Sequence, residues 1–380
     1  MHSLRPGHLP NALGGNAMNP KLFSAFAGVA LVCGMVLVAG RGLTAAPAPV
    51  NDDYTVLDAI RHGNLTVFPV VAAKTHDTSD FMSLDEGLRS GDVVVKVQGL
   101  VRGQRSWGEH AIPTRGGPQV NTLVLVNNSK RPLLLLAGEI VTGGKQDRVI
   151  AKDRIVPAES DPIDLGVFCV EPGRWVGSSE QFGTARGYTF MAAPNVRAKA
   201  MADKDQAKVW SEVGKSRQSM SLEVPAAAPA INTTSSYPAM MQNAEVQKKL
   251  DDIAEPIRHD YESVIKQLRD QNAVGVVVVV NGEIVWADMF ASTRLLEKYW
   301  PKLIRSYATE AVITKAKGAT VTKKAAQEFL SNMQGRRETV ESEPGVYRHT
   351  EITGDGFKAF ELTSLLPKTG FDLHVAKMAD

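Results

Sequence analysis

The sequence predicts an α+β protein, with a β-rich antiparallel sandwich or partial barrel in its N-terminal half and a mixed region of hairpins and helices in its C-terminal half. Three observations carry this prediction. Residues 51–175 hold closely spaced apolar, β-branched runs separated by turn residues, which leaves no room for the crossover helices of a parallel sheet. Residues 246–268 place Val246, Leu250, Ile253, Ile257, Tyr261, Val264 and Leu268 at steps of three and four, the mark of one buried helix face. Asn281-Gly282 stands between two strand-like runs, a type I′ hairpin signal.

Taken in order, "NLTVFPVVA" reads as a strand, and "SLDEGLRSG" as a short helix with a Ser83/Glu86 capping box and Gly91 as its stop. The strands "DVVVKVQGL", "NTLVLVNN", "PLLLLAGEIV" and "IDLGVFCVE" follow, with turns at 127–129 and 157–162. Residues 195–221 suit a polar helix around Val209, Trp210 and Val213, and "VPAAAPAINTTSSYP" reads as a linker loop. Pro256 is expected to kink or split the helix that follows. Residues 276–280 are apolar on both faces and predict a central strand. A long helix begins near Thr293 and is expected to break at Pro301, and Thr322 caps "KKAAQEFLSNM". A hairpin around Gly354-Asp355-Gly356 and a last strand, "GFDLHVAKM", complete the chain. The expected organisation is a leader at 1–48, a β-rich region at 49–190, a helix and linker at 191–245, and a mixed region at 246–380 packed with 49–190 as one unit.

The leader reads as a secretory signal. Residues 22–40 are almost wholly apolar, Lys21 precedes them, and small residues follow. Met18 makes a better start than Met1, since "MNPK" forms a short basic n-region. Export to the periplasm or medium is expected, with the mature chain beginning between about Gly40 and Val50; the alternative is a membrane anchor through residues 22–40. Of 43 basic residues, Arg5, Lys21 and Arg41 lie in the leader, so its removal takes the formal charge from +2 to −1. A nearly neutral body argues against nucleic-acid binding, which needs a basic surface. Cys33 belongs to the leader and leaves Cys169 alone, which excludes an internal disulfide and a cysteine zinc site. The histidines are scattered, without ligand spacing, so no metal and no cofactor is expected.

Chemistry concentrates at the ends of two apolar runs. "LLLLAGEIVTGGKQDRVI" begins as a strand buried on both faces and ends in Glu139, Gly143, Gly144, Lys145, Gln146, Asp147 and Arg148. Two adjacent glycines bare backbone N–H groups to an anion, and Lys145 and Arg148 add positive charge. "CVEPGRW" brings Glu171, Arg174 and a stacking ring, Trp175, to the end of a second strand. The expectation is that both clusters meet, with Glu139 in salt-bridge reach of Arg148 or Arg174. The plainer reading is a tight hairpin held by structural ion pairs. Cys169, in "LGVFCV", is expected to be buried and inert rather than a nucleophile.

On "GEIVTGGKQDRVI…CVEPGRW", with "VGVVVVVNGEIVWADMF" and "WPKLIRSYA", the chain resembles the ARG and rhodanese-phosphatase-superfamily-associated protein domain over most of its mature length. Asp147 stands where that family pattern carries Asn. The resemblance implies genomic company with ADP-ribosylglycohydrolases and rhodanese-like phosphatases, and so the handling of ADP-ribose, nucleotide or phosphorylated groups. It implies no settled reaction.

These readings lead to one principal expectation: an exported domain that binds a small anionic or saccharide ligand, or a cell-envelope protein, through Glu139, Gly143, Gly144, Lys145, Gln146, Arg148, Glu171, Arg174 and Trp175. The alternatives are a hydrolase of phosphorylated, glycosidic or ADP-ribose-like substrates with Glu139 or Glu171 as acid/base, and a purely structural envelope protein. The sequence gives no oligomeric state.

Overall fold

The computed structural model describes residues 54–97, 122–173, 179, 181–184, 189–315 and 320–380. The chain opens with β1 (Tyr54–Val56), β2 (Ile60–His62) and β3 (Leu65–Ala72). After β4 (Met82–Ser83) comes α1 (Leu84–Ser90), which carries the expected capping box between Ser83 and Glu86 and ends on Gly91 in the left-handed region. Then follow β5 (Val93–Val97), β6 (Thr122–Asn127), β7 (Leu133–Leu135), β8 (Glu139–Gly143), β9 (Arg148–Ile150), β10 (Arg154–Val156), β11 (Ile163–Cys169), β12 (Gln181–Gly183) and β13 (Phe190–Met191).

Six of these strands close on themselves. The order β12-β5-β6-β11-β9-β8 is antiparallel throughout, and β12 pairs with β8 to complete a barrel. Alternation explains its filling: Val93 and Val95, Leu123 and Leu125, and Leu165 and Val167 join one buried cluster with Val141, Ile150 and Phe182. The chain is therefore α+β with a barrel in its N-terminal half, as the strand spacing predicts.

The helical layer is α2 (Pro194–Ala198), α3 (Gln206–Glu223), α4 (Ala228–Asn232), α5 (Tyr237–Gln242) and α6 (Ala244–Gln267). The stretch read as a linker is instead short helical pieces, because its prolines sit in the first turns of helices, where no N–H is needed. Next come β14 (Asn272–Val280), β15 (Glu283–Phe290), α7 (Thr293–Ile313), α8 (Lys323–Ser331), β16 (Gly335–Glu343), β17 (Tyr347–Gly354), β18 (Phe357–Ser364) and β19 (Asp372–Ala379). Both α6 and α7 run through their prolines, Pro256 and Pro301, without the expected break. The positive φ of Asn281 and Gly282, 53° and 85°, fits the predicted hairpin between β14 and β15.

The C-terminal strands build a second sheet, in the order β1-β3-β14-β15-β19-β18-β17-β16 with β2 on β3. Strand β3, from the front of the chain, thus lies beside the central β14. Alternate residues of β14 face opposite cores: Val276, Val278 and Val280 meet the layer containing α6 and α7, while Val277 and Val279 meet Ala326 and Leu330 of α8. All described residues fall in one compact unit. Among them, no helix is long and apolar enough to cross a membrane. The leader, with the alternative anchor at 22–40, lies outside the described residues.

Candidate functional site

The apolar run of residues 133–138 does not end at Glu139. Strand β7 stops at Leu135, and the chain turns through Leu136, Ala137 and Gly138, with Gly138 at φ 94°. Glu139 then opens β8, which runs to Gly143. Glu139 and the Gly143-Gly144 turn therefore sit at opposite ends of one strand, roughly 13 Å apart at the usual rise. The sequence expectation that joined them in one site is corrected here, and the structure holds two separate constellations.

The first is a cup at the far end of β8. Gly144 is at φ 55°, and a Cβ there would meet the Phe182 ring at 2.4 Å, so glycine is required both by conformation and by space. Gly143 N–H donates to Asp147 Oδ1 at 3.0 Å, and Ser236 Oγ–H donates to Asp147 Oδ2 at 3.0 Å. Both carboxylate oxygens thus meet donors. Asp147 N–H donates to Glu171 Oε2 at 3.3 Å, and Gln146 Nε2 donates to Glu171 O at 2.9 Å, so the two predicted turns do meet. Among the described residues the cup is lined by Thr142, Gly143, Asp147, Glu171, Ser179 and Ser236, with Ala239 and Gln242 of α5, around about 410 Å³.

The remaining predicted residues divide. Lys145 is exposed on the turn. Gln146 is fully buried and its Oε1 has no hydrogen-bond partner among the described residues. Arg148 is buried opposite Val141 and turns Nη1 to the carbonyls of Gln146 and Asp147, at 2.6 and 3.3 Å, rather than to Glu139. Arg174 and Trp175 lie outside the described residues. Cys169 is buried, and burial pushes its thiol pKa up despite nearby Arg148, which disfavours the thiolate a nucleophile requires.

The second constellation surrounds Glu139, which is 0% exposed. Its Oε2 accepts Leu136 N–H at 2.7 Å, and its Oε1 is bonded by the Lys302 ammonium. Lys302, from α7, also donates to Asp85 Oδ2 at 2.8 Å and Thr189 Oγ1 at 3.1 Å. Burial favours neutral Lys302, yet the carboxylates of Glu139 and Asp85 outweigh it and hold the pKa above its ordinary value. For fully enclosed Glu139 burial wins over the ammonium and raises the pKa; for Asp85, which still touches solvent, Lys302 outweighs burial and lowers it. Sequence reasoning missed Lys302. The visible signal is a basic stripe, Lys298, Lys302 and Arg305, at i, i+4 and i+7 along the helix.

A closed charge chain lies deeper. Arg197 forks onto Asp288 at 2.9 and 3.1 Å, and Tyr307 O–H also donates to Asp288. His374 faces Asp288 through Nε2 at 3.1 Å and Asp153 through Nδ1 at 2.6 Å. With a carboxylate at each ring nitrogen, both must donate, so the ring is an imidazolium. Burial opposes that charge, but the two carboxylates prevail and push its pKa up to about 9. All five side chains are fully buried, joining the barrel side (Asp153) to the sheet (Asp288, His374) and helices (Arg197, Tyr307). Among the described residues, no group of three or more His, Cys, Asp or Glu is placed to hold a metal ion.

The sequence profile of the ARG and Rhodanese-Phosphatase-superfamily-associated Protein domain matches residues 53–376. The chain belongs to this family. The match spans the barrel, the helical layer and nearly all of the second sheet, so both constellations lie inside the family domain. No curated protein and no solved structure matches the chain.

Proposed function

We propose that this family member is an exported domain that binds a neutral, polyhydroxylated ligand, such as a saccharide unit, in the strand-end cup. The observation that carries this reading is the lining itself. Its charged side chains, among the described residues, are the carboxylates Asp147 and Glu171, and the rest are hydroxyls, backbone and the Gln242 amide. Carboxylate, hydroxyl and amide oxygens accept hydrogen bonds from sugar hydroxyls, and the hydroxyls and the amide can also donate to sugar oxygens. This density of hydrogen-bonding groups supports the saccharide among the ligand classes the sequence leaves open. Gln242 ends α5 without a side-chain hydrogen bond to the described residues, and its amide is available to donate and accept. A volume near 410 Å³ lies within the usual range of small-molecule pockets, about 300–1,000 Å³.

Calorimetry with ribose, glucose and N-acetylglucosamine tests the reading. At least one is expected to bind in the millimolar range or tighter, with Glu171→Gln and Gln242→Ala each weakening it about tenfold, the worth of roughly one hydrogen bond to a charged or buried group. Absence of saccharide binding, or binding indifferent to both variants, would overturn it.

Export rests on the basic, apolar and small-residue order of the leader. N-terminal sequencing of protein from the native host is expected to find a chain starting between about Gly40 and Val50 outside the cytoplasm. An intact Met18 terminus in the cytosolic fraction would end that part of the proposal.

A further inference from the structure

We propose a second ligand site in the cleft between α1 and α7, which takes an amphipathic anion: a phosphate monoester or carboxylate carrying an apolar body. It is independent of the cup and opposite to it in charge. On α7, Lys298, Pro301, Lys302 and Arg305 recur at i, i+3, i+4 and i+7, so they form one stripe along the helix. On α1, Asp85, Glu86 and Arg89 face them across a cleft of about 420 Å³. Phe190 and Met191 of β13 and Met241 of α5 supply an apolar floor, all three nearly buried. Methionine is the side chain best able to reshape around a ligand body.

The charges are unequal in what they leave for a ligand. Lys302 is closed in by Glu139 and Asp85. Lys298 meets Glu86 at 2.8 Å, and Arg305 bonds Asp251. Arg89, in the last turn of α1, is exposed and has no carboxylate within ion-pair distance among the described residues. The cleft is thus lined by four cations and two carboxylates, and its one uncommitted charge is positive. A bare inorganic anion would satisfy Arg89 but leave the apolar floor wet. A neutral apolar molecule would cover the floor but strip water from the cations. Only a ligand with both parts meets both walls, its head toward Arg89 and Lys298 and its body over Met191 and Met241.

The test is calorimetric titration of the purified protein with octyl phosphate, 1-octanol and inorganic phosphate. Octyl phosphate is expected to bind about tenfold or more tightly than either fragment. Arg89→Glu should weaken octyl phosphate about tenfold, and Arg89→Lys should retain most of the affinity, since an exposed arginine can be exchanged without disturbing the core. Lys324→Glu, which makes the same charge change at an exposed position on α8, should leave binding unaltered. Equal binding of octanol would reduce the site to an apolar hollow, equal binding of inorganic phosphate would remove the role of the floor, and an Arg89→Glu protein that binds octyl phosphate as the parent does would place the ligand elsewhere. Each of these results overturns the proposal.

Discussion

Replacing Arg197 with methionine is expected to destabilise the protein by about 3–5 kcal/mol, the cost of leaving two buried carboxylates, Asp288 and Asp153, with the His374 imidazolium as the one cation between them. Asp288 would lose both guanidinium bonds while remaining fully enclosed, and the stack of Arg197 over the Trp286 ring, 4.5 Å to its centroid, would go with it. The same chain makes stability depend on pH from both sides. His374 has its folded pKa raised from 6.5 to about 9, so its contribution is complete below 6.5 and is lost as pH rises through 9. Burial alone would raise the pKa of Asp288 and Asp153, but Arg197 and His374 for the first and His374 for the second hold them below the ordinary carboxylate value. Their contribution is present above that value and lost as pH falls through the depressed one. Urea unfolding across pH should therefore show an alkaline fall above about pH 6.5 that depends on His374, and an acid fall as these two carboxylates are protonated. His374→Gln should remove most of the alkaline fall. A parent protein as stable at pH 10 as at pH 6 would contradict the imidazolium assignment.

Lys302→Met is the second large effect, again about 3–5 kcal/mol. It leaves fully buried Glu139 beside Asp85 without the ammonium between them. Glu139 already has a raised pKa from burial, with Asp85 adding to the rise, and losing Lys302 raises it further. The variant should therefore recover relative to the parent as pH falls and Glu139 takes a proton. Adding Glu139→Gln to Lys302→Met should also recover part of the loss, so the double-mutant cycle should show a strong coupling between these residues. Additive losses would mean that Glu139 is held by something other than Lys302.

The sequence reveals those features whose cause is local. The Ser83/Glu86 box, the Asn281-Gly282 turn and the alternation of Val276 to Val280 each depend on neighbours within a few residues, and each forms as read. The cup was partly legible for the same reason: Gly143, Gly144 and Asp147 close one short turn, and Glu171 reaches it from the adjoining exit of β11. Glu139 was misplaced because an apolar run hides its own turn. Leu136 and Ala137 are as apolar as the strand before them, and only Gly138 marks the reversal. Its partner, Lys302, lies 163 residues away and is chosen by how α7 packs, which no local pattern states. The charged strand β16 was missed for a different reason. Its residues 335–340 are all exposed, so no apolar face announces a strand that its ladder with β17 alone defines.

The strand-end residues separate into a closed charge cluster at Glu139 and an open cup at Gly143 and Glu171. Backbone amide shifts recorded while the tightest-binding saccharide of the panel is titrated in test this most directly. Perturbations are expected at Gly143, Gly144, Glu171 and the Gln242 side-chain amide, with Glu139 and Lys302 unmoved. Shifts confined to Lys302, Met241 and Arg89, or spread over Glu139 and the cup together, would contradict it.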